Sequence, residues 1–393
     1  MKATGIAPGR LDFLGGVADY SGSLVLEMPL TLTTRVVITA RNETGHEFQS
    51  VQLGRHLVRK KSKAAQLPDW VRYPYGCLVH FCAATGWQPE TGLLFRIDST
   101  VPLGMGVSSS AAIEVATLRA LEKFSGHKLA PVALAHLAQQ VENKFVGAPC
   151  GLMDQLTSEC GVPGALLPIL CRPDLLQKPV RLPRGVIAVG WPSGVKHAVS
   201  ASPYATARAG AFMGKRILEQ VTGRKLGHVS EITPKELAAL PADTLPRAIT
   251  GREFVRRWKK VSDPLSVIVP GRKYPVRAAT SFPIGENARA GQAVALLRSG
   301  KLGHRERCVA LGELLYASHA GYSAMGLGCP ETDEMVAAIR ALGPTKGFYG
   351  ARVSGGGSGG TVVVLLEKKS LTKLEALMQR LRFRKDFRPQ LLF

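Results

Sequence analysis

The sequence predicts an α+β fold in which strands and helices are mixed without strict alternation. Apolar or alternating runs at 32–41 and 94–98 predict two strands. Helical spacing of Ala, Leu and Val predicts helices at 109–124 and 130–145. Because these elements do not repeat as strand–helix–strand units, a doubly wound parallel sheet is disfavoured. A length of 393 residues suggests about two domains.

The second half of the chain continues the mixture. Strands are predicted at 162–170, at 185–191 and in the run TVVVLLE. Helices are predicted at 203–221, 286–299, 303–325, 331–342 and near 370–383. The stretch of about 222–275 is rich in Pro, Lys and Arg, which indicates a variable, partly helical insertion.

The composition is that of a globular protein, with 45% hydrophobic and 20% charged residues. We see no charged and then apolar targeting segment, and no apolar run reaches the roughly 18 residues that span a bilayer. Seven cysteines are scattered without a CxxC pair, which indicates reduced thiols rather than a disulfide framework or a zinc site. We therefore expect a cytoplasmic protein without a membrane partner.

The net charge of +22 has two interpretations. A basic surface aids solubility, whereas a functional excess of charge would serve an anionic partner such as a nucleotide or a nucleic acid. The basic residues are spread out, with one cluster in RLRFRKDFRP. Zinc-finger, RNP-like and long basic patterns are missing from the sequence, so we do not expect nucleic acid to be the main partner.

The segment 101–116, VPLGMGVSSSAAIEVA, has the character of a phosphate-binding loop. Gly104 and Gly106 allow the backbone to approach an anion, and three serines then open a helix whose N-terminus favours phosphate. The serine hydroxyls either cap this helix or bind a Mg²⁺ ion that bridges phosphates. The loop matches neither the P-loop nor the dinucleotide-binding fingerprint.

A second glycine cluster occupies 355–360 and is called the glycine loop below. It contains the spacing GxGxxG, but β-branched residues follow it instead of a helix, which argues against a dinucleotide site. The cluster is either a flexible turn or a tight loop pressed against another backbone or bound phosphates.

Four charged residues have the chemistry of a phosphoryl-transfer site. Arg10 could steady phosphoryl charge and Asp19 could accept hydrogen bonds from sugar hydroxyls, or the two could form a structural pair. Glu142 lies at the end of one helix pattern and could be a metal ligand. Asp154 lies early in the next helix and could be the partner of the attacking hydroxyl. The alternatives are a solvated Glu142 and a helix-capping Asp154.

Three segments together resemble the GHMP kinase superfamily of galactokinase, homoserine kinase, mevalonate kinase and phosphomevalonate kinase. They are APGRLDFLGG…DYSG, PLGMGVSSSAA and RVSGGGSGG, in the family's order. The segments CGLMDQ, SGVKHAVSASPY and SHAGYSAMGLGCPETD are similar to those of galactokinase-type sugar kinases. The resemblance covers nearly the whole chain except about 222–275.

The resemblance implies a two-lobed α+β fold with the active site in the cleft between the lobes. We expect an N-terminal kinase domain at 1–190 and a C-terminal kinase domain at 191–393, with the insertion and the glycine loop in the second. It also implies an ATP- and Mg²⁺-dependent kinase that converts a small sugar to its 1-phosphate.

The resemblance also implies roles for individual residues. Asp154 corresponds to the catalytic aspartate and Arg10 to the arginine near the transferred phosphoryl group. Ser110 and Glu142 correspond to the Mg²⁺ ligands. The sugar-contacting positions are Asp19, Gly151 and Tyr204. The phosphate-binding positions are Gly104, Met105, Gly106, Val107, Ser108, Ser109 and Ser110, together with Gly355, Gly356 and Gly357 of the glycine loop.

One departure from the galactokinase pattern bears on the sugar. Gly16 and Val17 stand where galactokinases carry the Glu and His of Gly-Glu-His-Thr-Asp-Tyr-Asn-Gly. The pattern here resembles L-arabinokinases instead, and L-arabinopyranose has the ring hydroxyls of galactose without its C6 hydroxymethyl group. Loss of polar partners for that arm suits a pentose, although a glycine at position 16 would leave room for a water that solvates a C6 hydroxyl.

Three other functions stay open at this stage. The chain could be a galactokinase, a kinase for another sugar such as a uronic acid, or a catalytically silent sugar-sensing regulator. The presence of Arg10, Glu142, Asp154 and the serine loop argues against the regulator.

Overall fold

The structure, a computed structural model, describes residues 2–59, 61–195, 202–384 and 386–393. Residues 196–201 of the segment SGVKHAVSASPY therefore lie outside the described residues. The strands in the described ranges are β1 (Lys2–Leu14), β2 (Leu24–Arg41), β3 (His46–Ser50), β4 (Gly54–Val58), β5 (Gly92–Ser99), β6 (Leu167–Leu170), β7 (Leu175–Leu176), β8 (Val186–Pro192), β9 (Ile249–Thr250), β10 (Lys273–Tyr274), β11 (Phe348–Val353) and β12 (Thr361–Glu367).

The helices are interspersed with these strands, which confirms the predicted α+β class. The α-helices in the described ranges are α1 (Asp69–Thr85), α2 (Ser109–Ser125), α3 (Pro131–Gln140), α4 (Met153–Cys160), α5 (Ser202–Thr222), α6 (Pro234–Ala239), α7 (Gly251–Trp258), α8 (Val276–Arg298), α9 (His304–Ala324), α10 (Pro330–Leu342) and α11 (Leu371–Arg380). None of the helices that are described is long and apolar enough to cross a membrane.

Helix α8 differs from its sequence prediction. It begins at Val276, ten residues before the predicted start at 286, and includes Pro283. Its early residues are held by packing on α5, where a side chain on Gly214 would place its Cβ 1.7 Å from the Thr280 hydroxyl. The close crossing therefore requires glycine at 214, and burial of this face outweighs the hydrogen bond that the proline removes.

The chain divides into two compact units that share its first two strands. Unit 1 consists of Met1–Arg10, Pro29–Leu103 and Val107–Pro163. Unit 2 consists of Leu11–Met28, Gly104–Gly106 and Gly164–Phe393. The segment 104–110, which is predicted to bind phosphate, therefore contributes its glycines to unit 2 and its serines to unit 1.

Unit 1 packs helices on a sheet whose strands run β4-β3-β5-β2. The β3–β5 pair is parallel, and the other two neighbours in this order pair antiparallel. Apolar side chains of α1, α2 and α3 fill one core with the sheet, and the rings of Phe48 and Phe95 stack at 4.7 Å between centroids. Gly5 lets β1 approach α2, because a Cβ there would lie 2.0 Å from the Ala116 carbonyl oxygen.

Unit 2 contains a three-stranded sheet in the order β11-β12-β8, with antiparallel neighbours. Side chains of α9, α10 and α11 form a core with this sheet. The predicted insertion packs against α5 and α8. These segments share a separate hydrophobic core, which includes Phe254 and Tyr274. The prediction of a partly helical insertion is confirmed, since α6 and α7 lie within it.

Candidate functional site

The candidate site residues fall into two sets, one in each unit. Unit 1 carries Arg10, Val107, Ser108, Ser109, Ser110, Glu142, Gly151 and Asp154. Unit 2 carries Gly16, Val17, Asp19, Gly104, Met105, Gly106, Tyr204, Gly355, Gly356 and Gly357.

A buried ion pair joins the two residues predicted to perform the chemistry. Arg10 lies in β1, and its Nε donates to Oδ1 of Asp154 at 2.9 Å, while its Nη2 lies 2.8 Å from the same oxygen. The arginine side chain is only 3% exposed, and that of Asp154, in the first turn of α4, is 21% exposed. Within the described part of the chain, Oδ2 of Asp154 accepts no hydrogen bond, so this oxygen is available to a substrate hydroxyl.

The hydroxyl of Ser108, at the start of α2, does not cap the helix. Ser108 is the N-cap residue, but its φ of 57° places it in the left-handed region and its side chain makes no capping bond. Its buried Oγ has no hydrogen-bond partner among the described residues. The interpretation of Ser108 as an ordinary cap is therefore wrong, and its free hydroxyl and the helix N–H groups suit an anion.

Glu142 is held in a small carboxylate network. It lies in the π-helical turn Val141–Val146 that follows α3, and it is hydrogen-bonded to Ser110. Gln155 donates from Nε2 to Oε2 of Glu142 at 2.7 Å and to Oε2 of Glu114 at 3.2 Å. Gln155 therefore links the predicted metal ligand to a second, fully buried carboxyl group on α2.

Burial and repulsion between carboxylates raise the pKa values of Glu142 and Glu114. Burial first, and then the charge of Asp154, raises the pKa of Glu142 to about 7. Burial and the nearby Glu142 raise the pKa of Glu114 well above its usual value. A cation bound at Glu142 would favour its ionised form, because it would offset both causes.

The oxygen donors at this point fit Mg²⁺. The Ser110 hydroxyl and the Glu142 carboxylate contact each other, and both are hard ligands of the kind that Mg²⁺ prefers. The described residues contain no cluster of three or more His, Cys, Asp or Glu able to hold a metal. The Ser110 hydroxyl and the Glu142 carboxylate suit an ion that takes its remaining ligands from phosphates and water.

A cleft of about 460 Å³ in unit 1 opens beside the serines. Ser109 and Ser110 line it at one side, and Trp70, Tyr73 and Ile113 supply aromatic and apolar surface. Such a cleft next to a helix N-terminus that is predicted to bind phosphate suits a flat, largely apolar base. No local sequence pattern identifies this cleft, since its lining comes from α1, α2 and the three strands β2, β3 and β5.

In unit 2, Gly16–Ser21 form a 3-10 turn, called the Asp19 turn below. Asp19 is buried, and its Oδ1 accepts a 2.6 Å hydrogen bond from the backbone N–H of Tyr20. Gly16 has a φ of +53°, and a Cβ there would lie 1.7 Å from the Tyr322 hydroxyl oxygen. The expectation of open space for a water at position 16 is therefore wrong, because Tyr322 already fills it.

Asp12 ties the Asp19 turn to the glycine loop. Its Oδ1 accepts from the backbone N–H of Gly16, and its Oδ2 accepts from that of Gly355, each at 3.0 Å. Arg352 donates to Oδ1 at 2.8 Å, and both side chains are fully buried. The glycine loop also lies against residues 104–106, because a Cβ on Gly360 would lie 3.0 Å from the Met105 carbonyl oxygen.

The predicted sugar contact Tyr204 belongs to an aromatic and charged cluster behind this turn. Its ring meets that of Tyr20 edge-on at 6.1 Å. Arg208 lies over the Tyr20 ring at 4.9 Å and forms a bidentate pair with Asp263 at 2.8 and 3.1 Å. The insertion therefore reaches the Asp19 turn through Asp263.

Comparison with known proteins shows which family the chain belongs to. The model of the GHMP kinases N terminal domain matches residues 72–162, and that of the GHMP kinases C terminal matches 300–383. Human galactokinase is 32% identical over 92% of this chain and 83% of its own length. This chain belongs to the GHMP kinase family. It is therefore an ATP-dependent phosphotransferase.

Other known proteins resemble this GHMP kinase in sequence or in fold. The Arabidopsis thaliana L-arabinokinase is 32% identical over 91% of this chain, which spans only 42% of that relative. The galactokinase of Lactococcus lactis, solved with galactose, matches 99% of this chain and 92% of its own, with a TM-score of 0.79 at 21% identity. A mevalonate kinase matches 99% of this chain and 98% of its own, with a TM-score of 0.63 at 15% identity. The expected domain boundary near residue 190 stays a prediction.

Several residues of this site were missed by the sequence analysis. Glu114 follows Ser110 by four positions, which is the spacing of one helix face, and Gln155 directly follows Asp154. These two positions carried a usable signal. Asp12 and Tyr322 lie in the segments APGRLDFLGG and SHAGYSAMGLGCPETD, but nothing in the sequence indicates their partners, and Trp70 carried no signal.

Replacing Glu142 with Gln is expected to stabilise the protein without ligands at pH 8 and to change little at pH 5. A carboxyl group with a raised pKa favours folding while protonated, and this contribution is lost as the pH rises through about 7. Removing the charge should add on the order of 2 kcal/mol to the free energy of unfolding at pH 8. Urea unfolding at the two pH values measures it.

The exposed Glu90 in unit 1 supplies the control for this prediction. Glu90→Gln should change the unfolding free energy at neither pH. A Glu142→Gln protein that is less stable than the parent at pH 8 would contradict the assigned cause.

Proposed function

We propose that this GHMP kinase transfers the γ-phosphoryl group of ATP to the anomeric hydroxyl of a small sugar, and that the sugar is L-arabinose. The Arg10–Asp154 pair carries the proposal. Arg10 holds Oδ1 of Asp154, which leaves Oδ2 for the hydroxyl of the sugar. The hydroxyl proton passes to Oδ2 of Asp154 as the hydroxyl oxygen bonds to the γ-phosphorus. The bond from that phosphorus to the β–γ bridging oxygen breaks, and ADP leaves.

The nucleotide fits the features of unit 1. The cleft lined by Trp70 and Tyr73 would take the adenine, and the start of α2 would take the phosphates. Ser110 and Glu142 would hold Mg²⁺, which supplies charge compensation on the phosphates. Arg10 adds a fixed positive charge beside Asp154.

The choice of sugar rests on the Asp19 turn. Val17 is buried in an apolar cluster with Tyr204 and Tyr322, and Gly16 offers no side chain. A C6 hydroxymethyl group near these positions would find no polar side chain at either one. The similarity to the L-arabinokinase supports a pentose, and the equal identity to human galactokinase supports the same class of reaction.

L-Arabinose is expected to be phosphorylated with a higher kcat/KM than D-galactose. An unpaired buried hydroxyl costs on the order of 1–3 kcal/mol, so the preference should be roughly ten- to a hundredfold. A coupled ADP-release assay with L-arabinose, D-galactose and D-galacturonate measures it under one set of conditions. The Asp154→Asn protein, prepared in parallel, accounts for contaminating kinases.

The product identifies the position of transfer. A sugar 1-phosphate has no free anomeric hydroxyl, so the reducing-sugar signal should fall as ADP appears. A preference for galactose or galacturonate would overturn the pentose, and an unchanged reducing-sugar signal would overturn the 1-kinase. Calorimetric sugar binding without turnover of any of the three would favour a sugar-sensing regulator.

A further inference from the structure

The hydroxyl of Tyr322 joins two backbone segments of unit 2. Tyr322 lies in α9 and is fully buried. Its Oη accepts a hydrogen bond from the backbone N–H of Val17 at 3.0 Å and donates to the carbonyl oxygen of Gly355 at 2.6 Å. One atom therefore connects the Asp19 turn to the glycine loop.

The same hydroxyl fills the space above Gly16. A Cβ at position 16 would lie 1.7 Å from the Tyr322 Oη and 2.8 Å from its Cζ. Side chains do not tolerate such contacts, so any residue larger than glycine would have to displace the tyrosine or the turn. Gly16 and Tyr322 are thus complementary, although 306 positions separate them.

Tyr322 is held in place from its other sides. Arg352 lies over its ring at 5.0 Å, and Phe282 meets the ring edge-on at 5.2 Å. Asp12, which Arg352 binds, makes the second bridge between Gly16 and Gly355. The Asp19 turn is therefore fixed to the glycine loop by one carboxylate and one phenol, both buried.

We propose that Tyr322 is a specificity-determining positioning residue of this kinase. Its hydroxyl fixes the backbone of Val17 and excludes any side chain at position 16, so positions 16 and 17 of the Asp19 turn carry one apolar side chain and no polar one. The expected effect of Tyr322 on the choice of sugar rests on the proposed function. The coupling between Tyr322 and Gly16 can be measured independently of any substrate.

Tyr322→Phe removes only the bridging hydroxyl. The Val17 N–H then loses its acceptor and the Asp19 turn keeps only the Asp12 bridge to the glycine loop, so the sugar KM should rise about tenfold. The ratio of kcat/KM for L-arabinose to that for D-galactose should also fall. Both constants are measured at saturating ATP with both sugars.

Tyr274 provides a matched control. It is a fully buried tyrosine of the insertion, and its hydroxyl accepts from the Val269 N–H at 2.8 Å and reaches the Val267 carbonyl oxygen at 3.5 Å. Tyr274→Phe makes the same chemical change and should lower stability without altering the sugar constants. If Tyr322→Phe behaves in the same way as this control, the positioning role is overturned.

A double-mutant cycle tests the contact itself. Gly16→Ala should lower the melting temperature strongly in the parent protein and much less in the Tyr322→Leu background. The strain of a left-handed alanine is common to both backgrounds and cancels, so the difference reports the contact. Equal effects in both backgrounds, or failure of only the double variant to fold, would overturn the pairing. Because unfolding needs no sugar, this result stands even if the proposed substrate is wrong.

Discussion

Replacing Asp154 with Asn is expected to lower kcat by roughly a hundred- to ten-thousandfold, the usual contribution of a positioned general base. Asparagine keeps the shape of the side chain and one oxygen for Arg10, but it cannot take a proton or carry charge. The sugar hydroxyl would then lose the partner that Oδ2 provides. The measurement is kcat at saturating ATP and sugar, with nucleotide affinity measured separately and expected to stay unchanged.

A second arginine–carboxylate pair on the same helix gives the control. Glu159 of α4 accepts from Arg119 at 2.7 Å, and its side chain is mostly buried, as is that of Asp154. Glu159→Gln therefore disturbs α4 and an ion pair without touching the candidate chemistry, and kcat should stay close to that of the parent. An Asp154→Asn enzyme that kept most of its kcat would show that this carboxylate is structural.

Ser110→Ala and Glu142→Ala are each expected to raise the apparent Mg²⁺ constant by about tenfold or more at fixed ATP, because each removes an oxygen ligand. Excess Mg²⁺ should restore part of the activity, since the phosphates still supply ligands. The measurement is a Mg²⁺ titration of initial rate at constant ATP. The larger effect is expected for Glu142, which brings charge as well as an oxygen.

The control is at the opposite end of the same helix. Ser125 closes α2, and Ser125→Ala removes a hydroxyl there while leaving the N-terminal serines intact. The Mg²⁺ constant of this variant should equal that of the parent. Unchanged constants in both Ser110→Ala and Glu142→Ala would mean that the two residues serve only packing and hydrogen bonding.

Local sequence patterns predicted the helices and strands because these elements depend on residues that are close together in the sequence. The strand at 94–98 lies within β5, the helix at 109–124 coincides with α2, and Asp154 does lie in the first turn of a helix. Sequence periodicity did not predict the first turns of α8, which pack against Gly214 of α5 and contain Pro283. The ordered motifs also identified the family, since a phosphate loop and a glycine loop are short contiguous segments.

The sequence by itself thus determined the fold class, the kinase family and the residue types available for chemistry. Only the tertiary structure decided which of them meet. Arg10 pairs with Asp154, which is 144 positions away in the sequence, and Gln155 is hydrogen-bonded to both Glu142 and Glu114. Gly16 turned out to be closed by a tyrosine and not open to water. Such pairings come from the packing of distant segments, where volume and hydrogen-bond geometry select one partner among many similar residues.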